Sequence, residues 1–529
     1  MSRKLDKNAL ISEIALEFRG EPRMHKSAAL LLVFALLAAS CLITLSVANA
    51  DDKTIVVPDD YPTIAAAIGN ASNGDTILVK SGTYTQQTLE INKSLTITSE
   101  HVGGATIILH PPQVPENILG TTMMVYVNPI DIKADKVKLS GFVLMSDGGT
   151  MFATGERIQI TNNKIETWGV VIQGNGSRIA DNKMATVTII GSNQTITDNY
   201  LSDLSVTGSF NLIARNHGRG MTLTGSNNVV NQNSFFVNVG TDGGSVSGIL
   251  LSEGDHNIIS NNTAIGMGTG IAIGYTGSGG SYNIFAGNAV EEAGLWGILM
   301  GNGAFNVFYG NLIANNRGFG HDGYGLALGG NHQVVQSNLF FHNTFMNNSR
   351  NFGTNWGING VNSFDNGTEG NYWDDYLTKY PNATEVGHSG IGDTPYWVYS
   401  DGSDNCPLLN RPDVTGAIPA LPEPWLTLVP IIELADPSLT FMSSSKPDPT
   451  AALSSSPTPT PIPSPISTSP PTPIQESTPP PEPEPQLEPE PFPTTLVAPF
   501  PTTLVASASV ATIAVVSVAL LVYFKKHKH

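Results

Sequence analysis

A short motif that recurs along the middle of the chain decides the fold. Residues 179–184 read Ile-Ala-Asp-Asn-Lys-Met, residues 196–201 read Ile-Thr-Asp-Asn-Tyr-Leu, and residues 213–216 read Ile-Ala-Arg-Asn. Each copy centres on an asparagine, and an apolar residue always stands three positions before it. The anchors are Asn163, Asn182, Asn199, Asn216, Asn233, Asn262, Asn288, Asn311 and Asn338. This regularity indicates one column of side chains that faces one core.

The distances between the anchors predict a solenoid. From Asn182 to Asn233 the anchors follow one another at equal, short intervals, and beyond Asn233 the intervals are longer and uneven. All of them are too short for propeller blades, and no helical period lies between the anchors. In the longer repeats a second series of apolar runs opens with glycine: Gly248–Leu251, Gly270–Ile273, Gly297–Met300 and Gly325–Leu328. We therefore predict an all-β parallel β-helix with two or three short strands per coil, stacked about 4.8 Å apart.

We interpret the nine anchor asparagines as structural. Asparagine tolerates the left-handed backbone of a turn, and stacked amides can hydrogen bond from one coil to the next. Asp181, Asp198 and Arg215 each directly precede an anchor of the evenly spaced group, so they fall in one column. This column predicts an ion pair between Asp198 and Arg215 that joins two coils and stabilises the stack.

A solenoid also needs a cap on its open edge. Residues Tyr61–Ile68 predict a short helix with Pro62 in its first turn. Residues Asp75–Tyr84 predict the first strand and its turn. We expect the helix to cover the N-terminal edge of the stack.

The N-terminal region is typical of a secretory signal. The apolar run Ala28–Val47 follows His25 and Lys26 and precedes Ala48–Ala50, so residues 1–50 are predicted as a signal peptide region. Translation could also start at Met24. The alternative is an uncleaved transmembrane anchor, because an apolar run of this length can span a bilayer.

The C-terminal region predicts a stalk and an anchor. After a β-helix domain over 51–412 and an extension over 413–442, residues 443–503 are rich in Pro, Ser, Thr and Glu and favour an extended chain. Residues 504–524 carry no charge, and 525–529 form a basic tail. This order predicts one membrane-spanning helix with the tail inside and the body at the cell surface.

Composition excludes several classes. The 529 residues carry 26 Lys and Arg against 44 Asp and Glu, for a net charge of −18, which argues against nucleic acid as a partner. The two cysteines are Cys41 and Cys406. A chain that loses Cys41 with its signal peptide cannot form an internal disulfide or a Cys-rich zinc site.

Two stretches carry a resemblance to a known family. Val57–Tyr84 resembles the opening of pectin-lyase-like right-handed parallel β-helix proteins. Gly370–Tyr376 and Gly390–Tyr396 resemble the C-terminal signature of NosD-like domains, and the asparagine-centred coils resemble the repeats of the carbohydrate-binding and sugar-hydrolase group. The resemblance covers about residues 54–412 and implies a right-handed, single-stranded parallel β-helix. The stalk and anchor differ from NosD proper, a periplasmic factor for copper-enzyme maturation, and resemble stalked archaeal surface proteins.

The resemblance also raises metal binding. In the family the loop between the two signature halves is usually rich in aspartate, in a pattern that suggests calcium, whereas here residues 377–389 hold Glu385 as their one acidic residue. A calcium site would therefore depend on Asp374, Asp375, Glu385 and Asp393. The family name implies copper as a second metal. The histidines of the body form no His-x-His or His-x3-His pair, so their spacing assembles no copper ligand set.

We hold three functional hypotheses. The first is binding, to polysaccharide or glycoprotein at the cell envelope, with an adhesive or structural role. Tryptophans can stack on sugars when exposed or pack when buried, and those of the body are Trp168, Trp296, Trp356, Trp373 and Trp397. We expect Trp373 to pack in the C-terminal cap. The third hypothesis is NosD-like handling of a metal.

The second hypothesis is a polysaccharide lyase, hydrolase or epimerase. The long steps after Asn233, Asn288 and Asn311 imply loops on one side of adjacent coils. Their charged residues are Asp242, Glu291, Glu292, His321 and Asp322. Paired carboxylates beside a histidine could perform acid–base catalysis, although solvated loop charge is the simpler interpretation.

Sequons for N-glycosylation also occur outside the predicted membrane segment. They are Asn70, Asn92, Asn175, Asn193, Asn261, Asn347, Asn366 and Asn382. An exported chain could carry glycans at some of them.

Overall fold

The computed structural model describes residues 52–118, 121–237, 246–275, 278–317, 323–329, 334–354, 360–399 and 402–414. The chain divides into two units, Met1–Lys446 and Pro447–His529, and every described residue lies in the first. The predicted signal region, stalk and anchor lie outside the described residues. Within the described ranges no helix is long and apolar enough to cross a membrane.

Three parallel sheets run the length of the described body. Sheet 1 has the strands Thr54–Val57, Thr76–Val79, Thr96–Ser99, Lys138–Ser140, Gln159–Thr161, Arg178–Ala180, Thr195–Thr197, Leu212–Ala214, Val229–Asn231, Ile258–Ser260, Ile284–Ala286, Val307–Tyr309 and Leu339–Phe341. Sheet 2 has Gly82–Gln86, Ala105–Leu109, Phe142–Ser146 and Lys164–Glu166, then His217–Gly218, Ser234–Phe236, Thr263–Ile265, Ala289–Glu291, Leu312–Ala314, Thr344–Met346 and Tyr372–Trp373. Sheet 3 has Leu89–Ile91, Ile130–Ile132, Thr150–Thr154, Gly169–Gln173, Thr186–Ile190, Asp203–Thr207, Gly220–Thr224, Ser247–Glu253, Thr269–Ile273, Trp296–Met300, Tyr324–Leu328 and Arg350–Thr354.

The chain visits the three sheets in the same order along the stack. A strand of sheet 1 leads to sheet 2, then to sheet 3, and back to sheet 1 beside its predecessor. Single bridges at Lys183 and Tyr200 join the two blocks of sheet 2. The predicted stack of parallel coils is therefore confirmed, and it is consistent with a right-handed β-helix. Three smaller pairs of strands complete the set: the antiparallel Gln113–Ile118 with Thr121–Tyr126, the parallel Gly303–Ala304 with Val335–Gln336, and the antiparallel Tyr396–Tyr399 with Gly402–Asp404.

The predicted apolar column forms the inner face of sheet 1. Ile160 pairs with Ile179, and the register then runs through Ile196 and Ile213. Further along, the column changes to phenylalanine, with stacked rings in Phe285, Phe308, Phe340 and Phe364. All of these side chains are buried in one core. The larger rings fill the interior of the later coils.

Asparagine side chains form a continuous ladder between sheets 1 and 2. In each step one amide nitrogen donates to the next amide oxygen, for example Asn199 Nδ2 to Asn216 Oδ1 at 2.9 Å. The backbone N–H of the same residue donates to the same oxygen. The ladder consists of Asn163, Asn182, Asn199, Asn216, Asn233, Asn262, Asn288, Asn311, Asn343 and Asn371. Each buried amide is thereby satisfied by its neighbours in the stack.

One predicted anchor lies elsewhere. Asn338 belongs to a second ladder, between sheets 3 and 1, and accepts from Asn306 Nδ2 at 3.0 Å. Asn343 takes the expected place, because Phe340 and not Val335 continues the inner column after Phe308. Both asparagines follow apolar residues at the same distance, so the motif alone does not separate the two turns. The second ladder comprises Asn211, Asn228, Asn257, Asn283, Asn306, Asn338 and Asn362.

The left-handed residue of each turn is also not the one expected. Positive φ falls on the residue before the anchor, as in Asp181 (59°), Asp198 (60°) and Arg215 (55°). The anchor itself keeps ordinary backbone and turns its amide inward. These three residues form the predicted column, and Arg215 Nε lies 2.7 Å from Asp198 Oδ1. The expected ion pair between coils is present.

A short helix covers the N-terminal edge, as predicted. It spans Ile64–Asn70 and begins later than expected, because Thr63 is its N-cap and accepts from the Ala66 N–H at 3.1 Å. Ile64, Ala67 and Ile68 are buried. They pack on the first strands of the stack.

Aromatic rings and a buried carboxylate close the C-terminal end. Trp373 is stacked between Phe345 and Tyr396, at centroid distances of 4.3 and 4.4 Å, so its predicted packing role is confirmed. A second helix, Tyr376–Lys379, follows. Asp404 ends the first ladder: its Oδ2 accepts from the Asn371 N–H at 2.7 Å. Each ladder step passes donors toward this end, and Asp404 accepts the last of them.

Candidate functional site

The loops predicted to carry catalytic groups follow one corner of the stack. Residues 237–246 connect Ser234–Phe236 of sheet 2 to Ser247–Glu253 of sheet 3, and residues 315–323 connect the same two sheets three coils later. We call this corner, between sheets 2 and 3, the loop corner. Asp242, His321 and Asp322 lie outside the described residues.

Glu291 and Glu292 lie at the loop corner. Glu291 ends the sheet 2 strand Ala289–Glu291 and pairs with Ile265 and Ala314. Glu292 follows in left-handed backbone, at φ 57°, and its side chain is exposed. The structure thus places both carboxylates on the predicted side of the coils. Among the described residues, no distance shows the two carboxylates acting together as a catalytic pair.

The first residues of the sheet 3 strands beside this corner pack closely against sheet 2. Glycines occupy the second position of successive strands, because a Cβ at Gly270 would collide with the Val290 side chain and one at Gly297 would lie 2.8 Å from Ile313 Cγ2. The residues directly before Gly270, Gly297 and Gly325 fall in one register column, which Arg350 continues in the next strand: Thr269, Trp296, Tyr324 and Arg350.

Aromatic rings from this column lie on the outer face of sheet 3. The Tyr324 ring covers Gly353, where a Cβ would collide with it. The Trp296 ring lies 6.1 Å from that of Tyr275, which follows the far end of the neighbouring strand and is half exposed. The Arg350 guanidinium carbon lies 6.0 Å from the Tyr324 ring centroid. We name Tyr275, Trp296, Tyr324 and Arg350 the aromatic platform.

The floor beneath the aromatic platform is apolar and mostly small. Ala272, Leu299 and Ala327 stand side by side on successive strands, outward from the core, and each is 1% exposed. Gly353 continues the row. Small floor residues let the rings lie close to the sheet, and Trp296 and Tyr324 remain partly exposed.

Sequence reasoning identified one of the four platform residues. Trp296 was a candidate for stacking, whereas Tyr275, Tyr324 and Arg350 were missed. A signal was present, since Trp296 and Tyr324 each directly precede a glycine of the second strand series. Of the other tryptophans, Trp168 and Trp397 are exposed, and Trp356 lies outside the described residues.

The four carboxylates proposed for calcium do not meet. Asp374 and Asp375 share the Asn351 amide, whose Nδ2 lies 2.9 Å from an oxygen of each. Asp393 instead accepts from Thr384, whose hydrogen bonds hold the pKa of Asp393 below its usual value. Glu385 accepts from the Gly390 N–H at 2.7 Å. All four are engaged in holding turns of the C-terminal cap.

The comparison with protein families decides the relationship of this chain. The family model described as "Periplasmic copper-binding protein (NosD)" matches residues 68–378. The chain belongs to the NosD family. The predicted resemblance is therefore confirmed. No curated protein sequence matches the chain.

Several solved structures resemble this NosD family member at low identity. The A-module of a mannuronan C-5 epimerase from Azotobacter vinelandii is 13% identical, with a TM-score of 0.37 over 56% of this chain and 92% of its own. A mannuronic-acid-specific family 6 polysaccharide lyase from human gut microbiota is 14% identical, with a TM-score of 0.42 over 62% and 88%. A family 6 polysaccharide lyase from Pseudopedobacter saltans is 14% identical, with a TM-score of 0.38 over 61% and 94%. These values transfer neither a substrate nor an activity.

The described residues of this family member do not fit copper. Within the described ranges no three His, Cys, Asp or Glu side chains lie together as a metal site requires. Two histidines each contact one carboxylate, as between His342 Nδ1 and Glu369 Oε2 at 3.1 Å, and the rings of His256 and His342 stack on tyrosines. A copper site needs several convergent nitrogen or sulfur ligands, and the described surface does not assemble them.

The sequons lie mainly on the surface. Six of the asparagines are exposed: Asn70, Asn92, Asn175, Asn193, Asn347 and Asn382. Asn261 and Asn366 are half-buried. The Oδ1 of Asn366 accepts from the Thr368 and Glu369 N–H groups, so glycosylation there would have to break a turn.

Proposed function

We propose that this NosD family member binds polysaccharide along the aromatic platform. The observation that carries the proposal is the placement of Trp296 and Tyr324 on successive coils, directly beside each other in register. Adjacent coils are about 4.8 Å apart, so aromatic side chains leave the same face of sheet 3 on two neighbouring coils. The C–H faces of sugar rings stack on such surfaces, and tyrosine and tryptophan add a polar edge for hydroxyl groups.

Contacts within the platform restrict its rings before a ligand binds. The Tyr324 ring lies against Gly353, and the Trp296 ring lies 6.1 Å from that of Tyr275. Side chains that are already restricted lose less freedom on binding, which favours affinity. Arg350 beside Tyr324 adds hydrogen-bond donors, and it favours sugars that carry carboxylates.

We further propose that binding takes place at the cell surface. The predicted signal region 1–50, the stalk 443–503 and the apolar run 504–524 support display of the body outside the membrane. A glycoprotein glycan is then an accessible ligand as well as free polysaccharide. Calcium enters this proposal only as a condition to vary in the binding assay.

Binding can be tested with the detergent-solubilised full chain. We would measure its affinity for a panel of neutral and uronate-containing polysaccharides, with and without calcium, by affinity electrophoresis. Trp296→Ala and Tyr324→Ala should each weaken binding about tenfold, equivalent to ~1.4 kcal/mol. Trp397→Ala is the matched control, since Trp397 is 59% exposed but lies in the C-terminal cap. Equal binding by all variants would contradict the proposal.

The same samples distinguish binding from catalysis. Product size by mass spectrometry should show intact polymer under every condition. Release of oligosaccharides would instead favour an enzyme, and Glu291→Gln and Glu292→Gln would then be the first variants to assay. These two residues lie at the loop corner, next to the platform strands.

A further inference from the structure

The outer face of sheet 1 changes character along the stack. In each three-residue strand the middle side chain points into the core, and its two neighbours point outward. In the early coils the outward residues include Lys138, Gln159 and Arg178. From Leu212 onward the first outward position is always a large apolar residue. We call this set the apolar stripe: Leu212, Val229, Ile258, Ile284, Val307 and Leu339.

The apolar stripe is buried although it points away from the core. Leu212 is 9% exposed, and Ile284 and Val307 are 0% exposed. Among the described residues, the two clusters on this face contain only residues of the face itself, with Tyr282 and Tyr309 at the margin. Neighbouring strands shield a side chain laterally but cannot cover its outer surface. A further part of the molecule must therefore lie across the stripe.

The local turns are too short to provide this cover. The stripe spans five coil steps, or about 24 Å. Residues 225–228 and 254–257 join sheet 3 to sheet 1 directly along its first half. The longer connections near its second half leave only 276–277, 330–333 and 355–359 outside the description. Such pieces cannot extend along the stripe to Val229 and Leu212.

One segment beyond the described residues has the composition and length required. Residues 425–434 read Trp-Leu-Thr-Leu-Val-Pro-Ile-Ile-Glu-Leu, with Glu433 as the one charged residue. An extended chain of this length spans about 33 Å, which exceeds the length of the stripe. Pro430 prevents a continuous helix. We propose that residues 425–434 lie along the outer face of sheet 1 and cover the apolar stripe.

The path of the chain favours this segment. The description ends at Val414, shortly after Leu408, which bridges to Tyr372 in the last coil of sheet 2. The stripe ends in the same part of the stack, where Leu339 bridges to Ser363. The chain therefore leaves the body at the same end of the stack as Leu339, and the proposed path of the extension runs back along the stripe.

The N-terminal apolar run 28–47 is the competing occupant. The strand Thr54–Val57 lies seven steps of sheet 1 before Leu212, or about 34 Å. Residues 48–53 reach at most about 25 Å, and the run beyond them is long enough to continue over the stripe. The predicted signal cleavage would remove this run from the mature protein. A second copy of the chain is the remaining competitor.

Photo-crosslinking in the full chain tests the proposal. Benzoylphenylalanine would replace Phe341, and in a second sample Val307, both on the covered face. Mass spectrometry should identify crosslinks to residues 415–442 of the same chain, with an isotope-labelled mixture separating intramolecular from intermolecular products. The control is the same probe at Thr195, which has the equivalent position in an early coil and should not reach that segment.

A second variant keeps the test independent of the probe. Ile431→Asp with Ile432→Asp should remove the crosslinks and increase the binding of a hydrophobic dye severalfold, with the β-sheet circular dichroism unchanged. Crosslinks to residues 28–47, crosslinks to a second copy, or no crosslink at Phe341 and Val307 would each overturn the proposal. An unchanged dye signal in the double variant would do the same.

Discussion

The regular coils and the long coils of this solenoid share an interior and differ outside. Between Asn182 and Asn233 the ladder advances by 17 residues per step. Beyond Asn233 the steps are 29, 26, 23, 32 and 28 residues. Ladder geometry nevertheless stays constant, with amide contacts of 2.8 to 3.0 Å in the long coils. The extra residues are inserted at the corners between the sheets, so the stacked strands stay in register.

This difference shows that the inner column and the ladder define the stack, whereas the outward positions can differ between coils and serve other roles. In regular coils the loops are tight, and the first outward position of sheet 1 changes from polar to apolar between Thr195 and Leu212. The apolar stripe therefore begins in the last regular coils and continues through the long coils, which also carry the aromatic platform on sheet 3. The proposed ligand surface belongs to the long coils, and the proposed cover spans both regions.

The largest effect is expected at an inner position of a regular coil. Ile213→Asp places a carboxylate at a site that is 0% exposed. An unpaired buried charge lowers the free energy of unfolding by more than an ordinary substitution does. We expect loss of the cooperative fold, more than ~4 kcal/mol, measured by circular dichroism and urea unfolding. If the Ile213→Asp variant folded normally, the buried inner column would not be what holds both regions together.

The next largest difference is expected between outward positions, where the same substitution should destabilise the two regions unequally. Ile284→Asp, on the apolar stripe, should cost ~3 kcal/mol or more, because Ile284 is 0% exposed. Thr195→Asp at the equivalent outer position of a regular coil should cost less than ~1 kcal/mol. Urea unfolding of both variants measures the contrast. Similar losses at the two sites would remove the distinction between the outer faces.

A pH-dependent effect is expected at the end of the ladder in the long coils. Burial raises the pKa of Asp404 to about 7, although the N–H groups of Asn371, Trp373 and Cys406 act in the opposite direction. The folded state therefore holds a proton that the unfolded chain releases near pH 4. This contribution to stability is present below pH 4 and is lost as the pH rises to about 7.

Asp404→Asn removes this titration. The free energy of unfolding of the natural protein, minus that of the variant, should decrease between pH 4 and pH 7 and stay level above. Denaturant unfolding across that range measures it, with Asp413→Asn at an exposed carboxylate as the control. A difference that rises with pH would show that the carboxylate is ionised in the fold.

The smallest effect belongs to the ion pair of the regular coils. The hydrogen bond from Arg215 lowers the pKa of Asp198, so the pair stabilises the fold above about pH 4, and that contribution is lost as the pH falls through the lowered value. Both side chains are about one-third exposed. Arg215→Gln should therefore cost less than ~1 kcal/mol at pH 7 and nothing measurable at pH 2. A loss of several kcal/mol would place the pair among the determinants of the stack.

Much of the fold could be predicted because its determinants are local in sequence. An apolar residue, a left-handed position and an asparagine, close together in the chain, specify one turn, and repetition of that unit specifies the stack. The exception is informative: Asn338 satisfies the same pattern but belongs to the second ladder. Two turns with the same chemistry can be told apart only when Phe340 is seen beside Phe308.

The site could be predicted only in part. The sequence placed Glu291 and Glu292 on the correct side of the coils, because loop length between anchors reports where residues are inserted. It could not group Tyr275 with Trp296, because these two rings belong to different coils and meet only across neighbouring strands. Nor could it show that Asp374 and Asp375 bind Asn351 instead of converging with Asp393 and Glu385.

The sequence by itself determined that this chain stacks into a parallel β-helix with an asparagine ladder and a capped N-terminal edge. Those features follow from residues that neighbour one another along the chain. Only the tertiary structure decided which outward side chains are covered, which rings form the aromatic platform, and which carboxylates are already engaged. These depend on contacts between coils separated by 17 to 32 residues, and each depends on the exact register of the stack.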